Sequence, residues 1–176
     1  MSGAVAVHTS ISRKQFLRGD LSGRKTPNRP PWAVQDDEFV SRCTRCDKCI
    51  TACIDGLIVK GQGGFPQMEF SHGGCDFCSD CVAACEPEAL FRSSKEATPW
   101  DIKASILDSC LSLNAVMCRS CGDVCDKRAI RFSLQVGGKA QPVIDPDRCT
   151  GCGECLSVCP VKAVEISNNY SHVETV

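Results

Sequence analysis

Sixteen cysteines in 176 residues, their grouping into four quartets of near-identical spacing, and a hairpin signal in each half of the chain predict an α+β fold. The expected architecture is two tandem bacterial two-cluster ferredoxin-like modules, with short helices and small β-hairpins around [4Fe-4S] clusters, preceded by an extended basic N-terminal arm. Only 6% of the residues are aromatic, too few for a large apolar core, so the chain needs staples of another kind. The formal net charge of −1 excludes a nucleic-acid-binding surface of the strongly basic type. No stretch approaches the roughly 18 apolar residues that cross a bilayer, so membrane insertion is not expected either.

The quartets carry the argument. Cys43, Cys46, Cys49 and Cys53 read C-x2-C-x2-C-x3-C. Cys75, Cys78, Cys81 and Cys85 repeat that spacing, as do Cys149, Cys152, Cys155 and Cys159, the last followed by Pro160. Cys110, Cys118, Cys121 and Cys125 keep C-x2-C-x3-C but widen the first gap to seven residues. Three thiolates two residues apart wrap a loop around one corner set of an iron–sulfur cube. The fourth, expected at the start of the following helix, points away to a second cluster. Crossing then assigns Cys43, Cys46 and Cys49 with Cys85, and Cys75, Cys78 and Cys81 with Cys53. In the second half it assigns Cys110, Cys118 and Cys121 with Cys159, and Cys149, Cys152 and Cys155 with Cys125. Four clusters are expected, or three if the stretched third quartet is not a standard site. A disulfide framework gives no reason for C-x2-C-x2-C runs. Structural zinc is the better rival, above all at the stretched quartet, but it does not need the third cysteine of each run.

The elements follow in chain order. Residues 1–35 are the arm: Arg13, Lys14, Arg18, Arg24, Lys25 and Arg29 stand against Asp20 alone, with Pro27, Pro30 and Pro31 and no apolar periodicity. Module 1 spans 36–95. After Cys53, residues 56–59, the turn signal at 61–64 and residues 66–70 read as a hairpin leading into the second quartet. Residues 87–91 read as a helical turn and a short closing strand. A packed linker, 96–109, carries Trp100 as an anchor between modules, with Ile102, Ile106 and Leu107 at helical spacing. Module 2, 110–170, repeats the plan with a hairpin of 129–134 and 141–144 turning at Gly137 and Gly138, and a closing strand at 163–166.

The segment Ser12-Arg-Lys-Gln-Phe-Leu-Arg18 is similar to a twin-arginine export motif with lysine in place of the second arginine. The polar run at 19–25 follows where a hydrophobic stretch is required, so a cytoplasmic location is expected.

Charge separates the quartets. Arg42, Arg45 and Lys48 interleave with the first, and Arg119, Lys127 and Arg128 flank the third, whereas Asp76, Asp80, Glu86 and Glu88 surround the second. Positive neighbours stabilise the more negative reduced cluster, so the second quartet's cluster is expected to have the lowest potential. Neither a G-x-G-x-x-G nor a P-loop is present, and no nucleophile–base pair stands out, so no catalytic residue and no enzyme activity is expected.

One resemblance covers the chain from about Ser12 to Ile166. The succession Arg29-Pro-Pro-Trp32, Cys43-Thr-Arg-Cys-Asp-Lys-Cys49, Gly63-Gly-Phe-Pro66, Cys75-Asp-Phe-Cys78, the stretched quartet and Cys149-Thr-Gly-Cys-Gly-Glu-Cys155 resembles the ferredoxin-type NapF family of periplasmic nitrate reductase systems. The resemblance implies a cytoplasmic iron–sulfur accessory protein that binds the reductase's catalytic subunit and assists its [4Fe-4S] loading before export. All sixteen cysteines match the family's ligand positions. Only Cys159 keeps the Cys-Pro step of simple bacterial ferredoxins, and a polyferredoxin electron carrier is the alternative reading.

Overall fold

The computed structural model describes residues 27–135 and 140–167. The expectations for residues 1–26 and for the turn at Gly137 and Gly138 lie outside that range.

The chain enters along module 1. Residues 27–35, expected to belong to an unstructured arm, are instead packed: Pro30, Pro31 and Trp32 are buried, and Ala33 bridges Leu90 in antiparallel fashion. Prolines lose little conformational freedom when they pack, and the Arg29 guanidinium supplies a flat stacking surface. It lies over the rings of Phe39 and Phe65, 4.8 and 5.4 Å from their centroids, and pairs with Asp36 at 3.0 Å. What reads as a solvated charge in sequence is a strap in the fold.

Helix α1, Asp36–Arg42, opens on three acidic residues and ends on Arg42, an arrangement that complements its dipole. It buries Phe39 completely. Helix α2 is Lys48–Ala52. Strands β1, Ile58–Lys60, and β2, Pro66–Met68, form the first hairpin with Ile58 opposite Met68. Helix α3, Asp80–Ala83, packs against α2.

Strand β3, Lys103–Ile106, corrects the reading of the linker. Helical spacing at Ile102, Ile106 and Leu107 suggested a helix, but Ile102 and Ala104 are buried two residues apart, the period of a strand. β3 pairs antiparallel with β6, Val164–Ser167, with Ile106 opposite Val164, so the linker supplies an edge of module 2. Helix α4, Ser120–Asp123, strands β4, Ile130–Leu134, and β5, Ala140–Ile144, and helix α5, Glu154–Ser157, complete the chain. β4 pairs with β5 as the hairpin signal predicts.

Two small cores result, one per module. Leu156 and Ile166 pack against both. At the seam the Trp100 indole donates to the carbonyl of Thr150 at 2.8 Å and meets Phe70 and Phe77 edge-on at 6.2 and 5.5 Å. Trp100 thus ties the stretch from Phe70 to Phe77 to the loop of the fourth quartet.

Candidate metal centres

The three regular quartets are built by one backbone device, which the stretched quartet lacks: Arg119, the residue after Cys118, has φ −134°. In the three regular quartets the residue two past the first cysteine is left-handed (Arg45, Phe77, Gly151), and so is the residue after the second (Asp47, Ser79, Gly153). The loop is thereby coiled around a point, and one turn of helix then carries the third cysteine, Cys49, Cys81 or Cys155, inward. Gly151 and Gly153 are obligatory: a Cβ at the first would lie 2.4 Å from the Ile102 carbonyl oxygen and at the second 2.1 Å from the Phe70 ring.

The fourth cysteine follows this helix rather than starting the next one, a correction to the sequence reading. Cys53 is the C-cap of α2 itself, and Cys85, Cys125 and Cys159 each stand one residue past the cap of α3, α4 and α5. Three residues on, each chain turns left-handed, at Gly56, Glu88, Arg128 and Lys162, and that residue's N–H donates to the fourth cysteine's carbonyl at 2.8–3.2 Å. Left-handed backbone is costly for three of those four residue types, so its fourfold repetition marks a geometry that the site imposes. The next residue, Leu57, Ala89, Ala129 or Ala163, is 1% exposed. Sequence reasoning missed this turn, although the recurrence of Leu or Ala four residues past each fourth cysteine was there to be found.

Four cavities result. Site 1 is lined by Cys43, Cys46, Cys49 and Cys85, beside Phe39 and Pro66. Site 2 is lined by Cys53, Cys75, Cys78 and Cys81, under Pro31 and Trp32. Site 3 is lined by Cys110, Cys118, Cys121 and Cys159, and site 4 by Cys125, Cys149, Cys152 and Cys155 together with Cys75. Every cavity thus takes three cysteines from one quartet and one from its neighbour, and site 4 has Cys75 as a fifth. The stretched quartet conforms: the turns at 111–117 absorb the extra residues, with the Asn114 side chain bonded to the carbonyl of Cys110 at 2.9 Å. Among the described residues, no three His, Cys, Asp or Glu side chains converge tightly enough for a single ion. Sulfurs spaced around a mostly apolar cavity fit a polynuclear cluster with thiolate ligands.

Backbone donors reach the sulfurs. Leu90, Ala129 and Ala163 donate N–H groups to the Sγ atoms of Cys85, Cys125 and Cys159 at 3.4, 3.3 and 3.1 Å. Burial, reinforced by neighbouring cysteines, pushes the Cys81 and Cys155 thiols up to about 12 and those of Cys49 and Cys121 up to about 11. Burial also raises Cys75 to about 12. At the exposed second position the two halves of module 1 differ. The Lys48 N–H and then the Thr44 hydroxyl hold the Cys46 thiol below its usual range. At Cys78 the Asp80 N–H pulls downward, but burial and the Asp76 carboxylate outweigh it and the thiol is raised.

Glu86 and Glu88, read in the sequence as neighbours of the second quartet, flank Cys85 and so belong to site 1. There Glu86 pairs with Lys48 at 2.5 Å.

Residues 116–163 match the 4Fe-4S dicluster domain family. The ferredoxin-type protein NapF of Escherichia coli (strain K12) is 41% identical over 159 residues, covering 88% of this chain and 96% of that protein. The chain belongs to the NapF family of ferredoxin-type proteins. NapF of Haemophilus influenzae is 42% identical over 169 residues, 90% of this chain and 95% of its own length. The methylamine utilization ferredoxin-type protein MauM of Methylorubrum extorquens is 33% identical over 74% of this chain and 67% of that protein. The chain is thus an iron–sulfur protein of the [4Fe-4S] ferredoxin type. No helix among the described residues is long and apolar enough to cross a membrane.

Proposed function

We propose that the chain holds four [4Fe-4S] clusters, one in each crossed quartet, and acts without catalysis of its own as a cytoplasmic accessory of the periplasmic nitrate reductase. It binds the catalytic subunit of that reductase and assists its cluster loading before export. The observation that carries this reading is the set of four cysteine-lined cavities, each with three cysteines of one quartet and one of its neighbour; kinship with NapF proteins over about nine-tenths of the chain supports the partner. When bound, the clusters supply one-electron chemistry and a store of iron and sulfide. The chain's own residues hold them with thiolates, orient the sulfurs of Cys85, Cys125 and Cys159 by N–H donation, and wall site 2 with Pro31 and Trp32.

Capture of the reductase's catalytic subunit from the cytoplasmic fraction by the tagged holo chain tests the reading. Retention of the precursor supports it, and failure to retain it, with the clusters intact, contradicts it. A second reading, a polyferredoxin electron carrier, is favoured by the contiguity of the sites: α2, which carries Cys49 of site 1, packs against α3, which carries Cys81 of site 2, and α4, with Cys121 of site 3, packs against α5, with Cys155 of site 4. Reduction of an oxidoreductase by the holo chain, with no transfer of iron to the catalytic subunit, would select it.

A further inference from the structure

Four arginines, Arg119, Arg128, Arg131 and Arg148, line one open cleft on module 2, and its floor is Gly122, Ile130 and Phe132. They come from four places in the fold: the N-cap of α4, the left-handed turn after Cys125, the second residue of β4, and the loop after β5. All four are exposed. Among the described residues none of them pairs with a carboxylate; the ion pairs formed, by Arg29, Arg42, Lys48 and Lys60, all lie in module 1. Asp123 is the one acid lining the cleft, among the described residues.

We propose that this cleft is a docking surface for an acidic segment of a partner protein.

Part of the shelf is built before anything binds. The Arg119 guanidinium lies over the Phe132 ring, 5.2 Å from its centroid, and the ring sits so close to Gly122 that a Cβ there would meet it at 2.7 Å. The Arg148 backbone is held by its N–H bond to the Asp145 carboxylate at 3.3 Å. Four like charges converging around the single carboxylate of Asp123 repel one another, and an anion relieves that repulsion. The cleft also runs against the charge of the chain, which is −1 without clusters and falls to about −9 once sixteen thiolates are set against four cores of about +2.

Its form selects the class of anion. Guanidinium forks match carboxylates two oxygens at a time, and forks spread over a wide, open cleft suit several carboxylates on one surface better than one small ion. A single-stranded nucleic acid needs an aromatic platform for its bases, and the Phe132 face is already covered by Arg119. Cys125 lines the same cleft, so a protein seated there lies directly against site 4.

The test is binding of a fluorescein-labelled oligoglutamate peptide to the full-length holo chain at low salt, read by anisotropy, with labelled oligothymidylate as the competing probe. The peptide is expected to bind, and the R131Q/R148Q variant to bind it at least about tenfold more weakly. Both side chains are exposed, and retained visible absorbance confirms that the variant is folded and loaded; R131Q alone serves if the pair is not. Replacing Arg24 and Lys25 by Gln is expected to leave binding within about twofold. The proposal is overturned if the peptide does not bind, if removal of the cleft arginines leaves binding unchanged, or if the oligothymidylate binds as tightly as the peptide.

Discussion

The backbone N–H of Cys75 donates to the carbonyl of Cys152 at 2.8 Å, so a cysteine of site 2 and a cysteine of site 4 share one hydrogen bond. Around it lie the Trp100–Thr150 bond and the Lys103 ammonium on the Cys149 carbonyl, at 2.8 and 2.6 Å. The loop of the fourth quartet is therefore held by Cys75, Trp100 and Lys103, residues that precede it by about fifty to eighty positions.

The crossing of quartets is tested by removing one fourth cysteine. Cys85→Ala is expected to cost the cluster of site 1, about four irons per chain, while leaving the site of Cys53, Cys75, Cys78 and Cys81 loaded. Iron analysis with electron paramagnetic resonance distinguishes the two. Disturbance of the second quartet's cluster, with the first intact, would refute the assignment.

Strain at the seam is tested at Gly151. Its φ of +71° and the 2.4 Å approach to the Ile102 carbonyl leave no place for a Cβ, so Gly151→Ala is expected to destabilise the fold by about 1–3 kcal/mol. Faster bleaching of the visible absorbance in guanidinium reads this directly. Gly73→Ala, with no atom within 4 Å of the new Cβ, is expected to bleach at the parent rate.

The potentials of sites 1 and 2 should differ. Asp76 accepts the Cys78 N–H at 3.0 Å, and with Asp80 it sets negative charge against site 2, while the Glu86 charge at site 1 is paired with Lys48. A nearby anion disfavours the added electron. Site 2 is expected to titrate below site 1, and Asp76→Asn to raise its potential while leaving site 1 in place. A redox titration that ranked site 2 highest would contradict the account.

Cluster uptake should depend on pH. Burial first, then neighbouring cysteines, raises the thiols of Cys81 and Cys155 to about 12, so each is protonated in the cluster-free chain at neutral pH and must release its proton to bind iron. Raised values favour the thiol, so uptake strengthens as pH rises and weakens as it falls throughout the range below those values. Reconstitution yield is expected to climb between about pH 6 and about pH 8. A flat yield would show that the inner thiols do not limit loading.

Much of this was legible in spacing alone. The three C-x2-C-x2-C-x3-C runs and the stretched quartet together contain every cavity-lining cysteine, and the glycines at 61–64 place the first hairpin. Legibility failed where distant residues decide. Arg29 reads as one more charge in a basic segment, and only the rings of Phe39 and Phe65, brought together by α1 and the first hairpin, make it a structural residue. Ile102 and Ile106 fit two periods at once, and pairing with β6 selects the strand. Arg119, Arg128, Arg131 and Arg148 are scattered over thirty residues and converge only because β4 and β5 fold back beside α4.

Native mass spectrometry of the anaerobically purified chain tests the central claim most directly. A mass excess of four [4Fe-4S] clusters, about sixteen irons with their sulfides, is the expected result. An excess corresponding to three clusters or fewer, or to zinc at the site of Cys110, Cys118, Cys121 and Cys159, would contradict it.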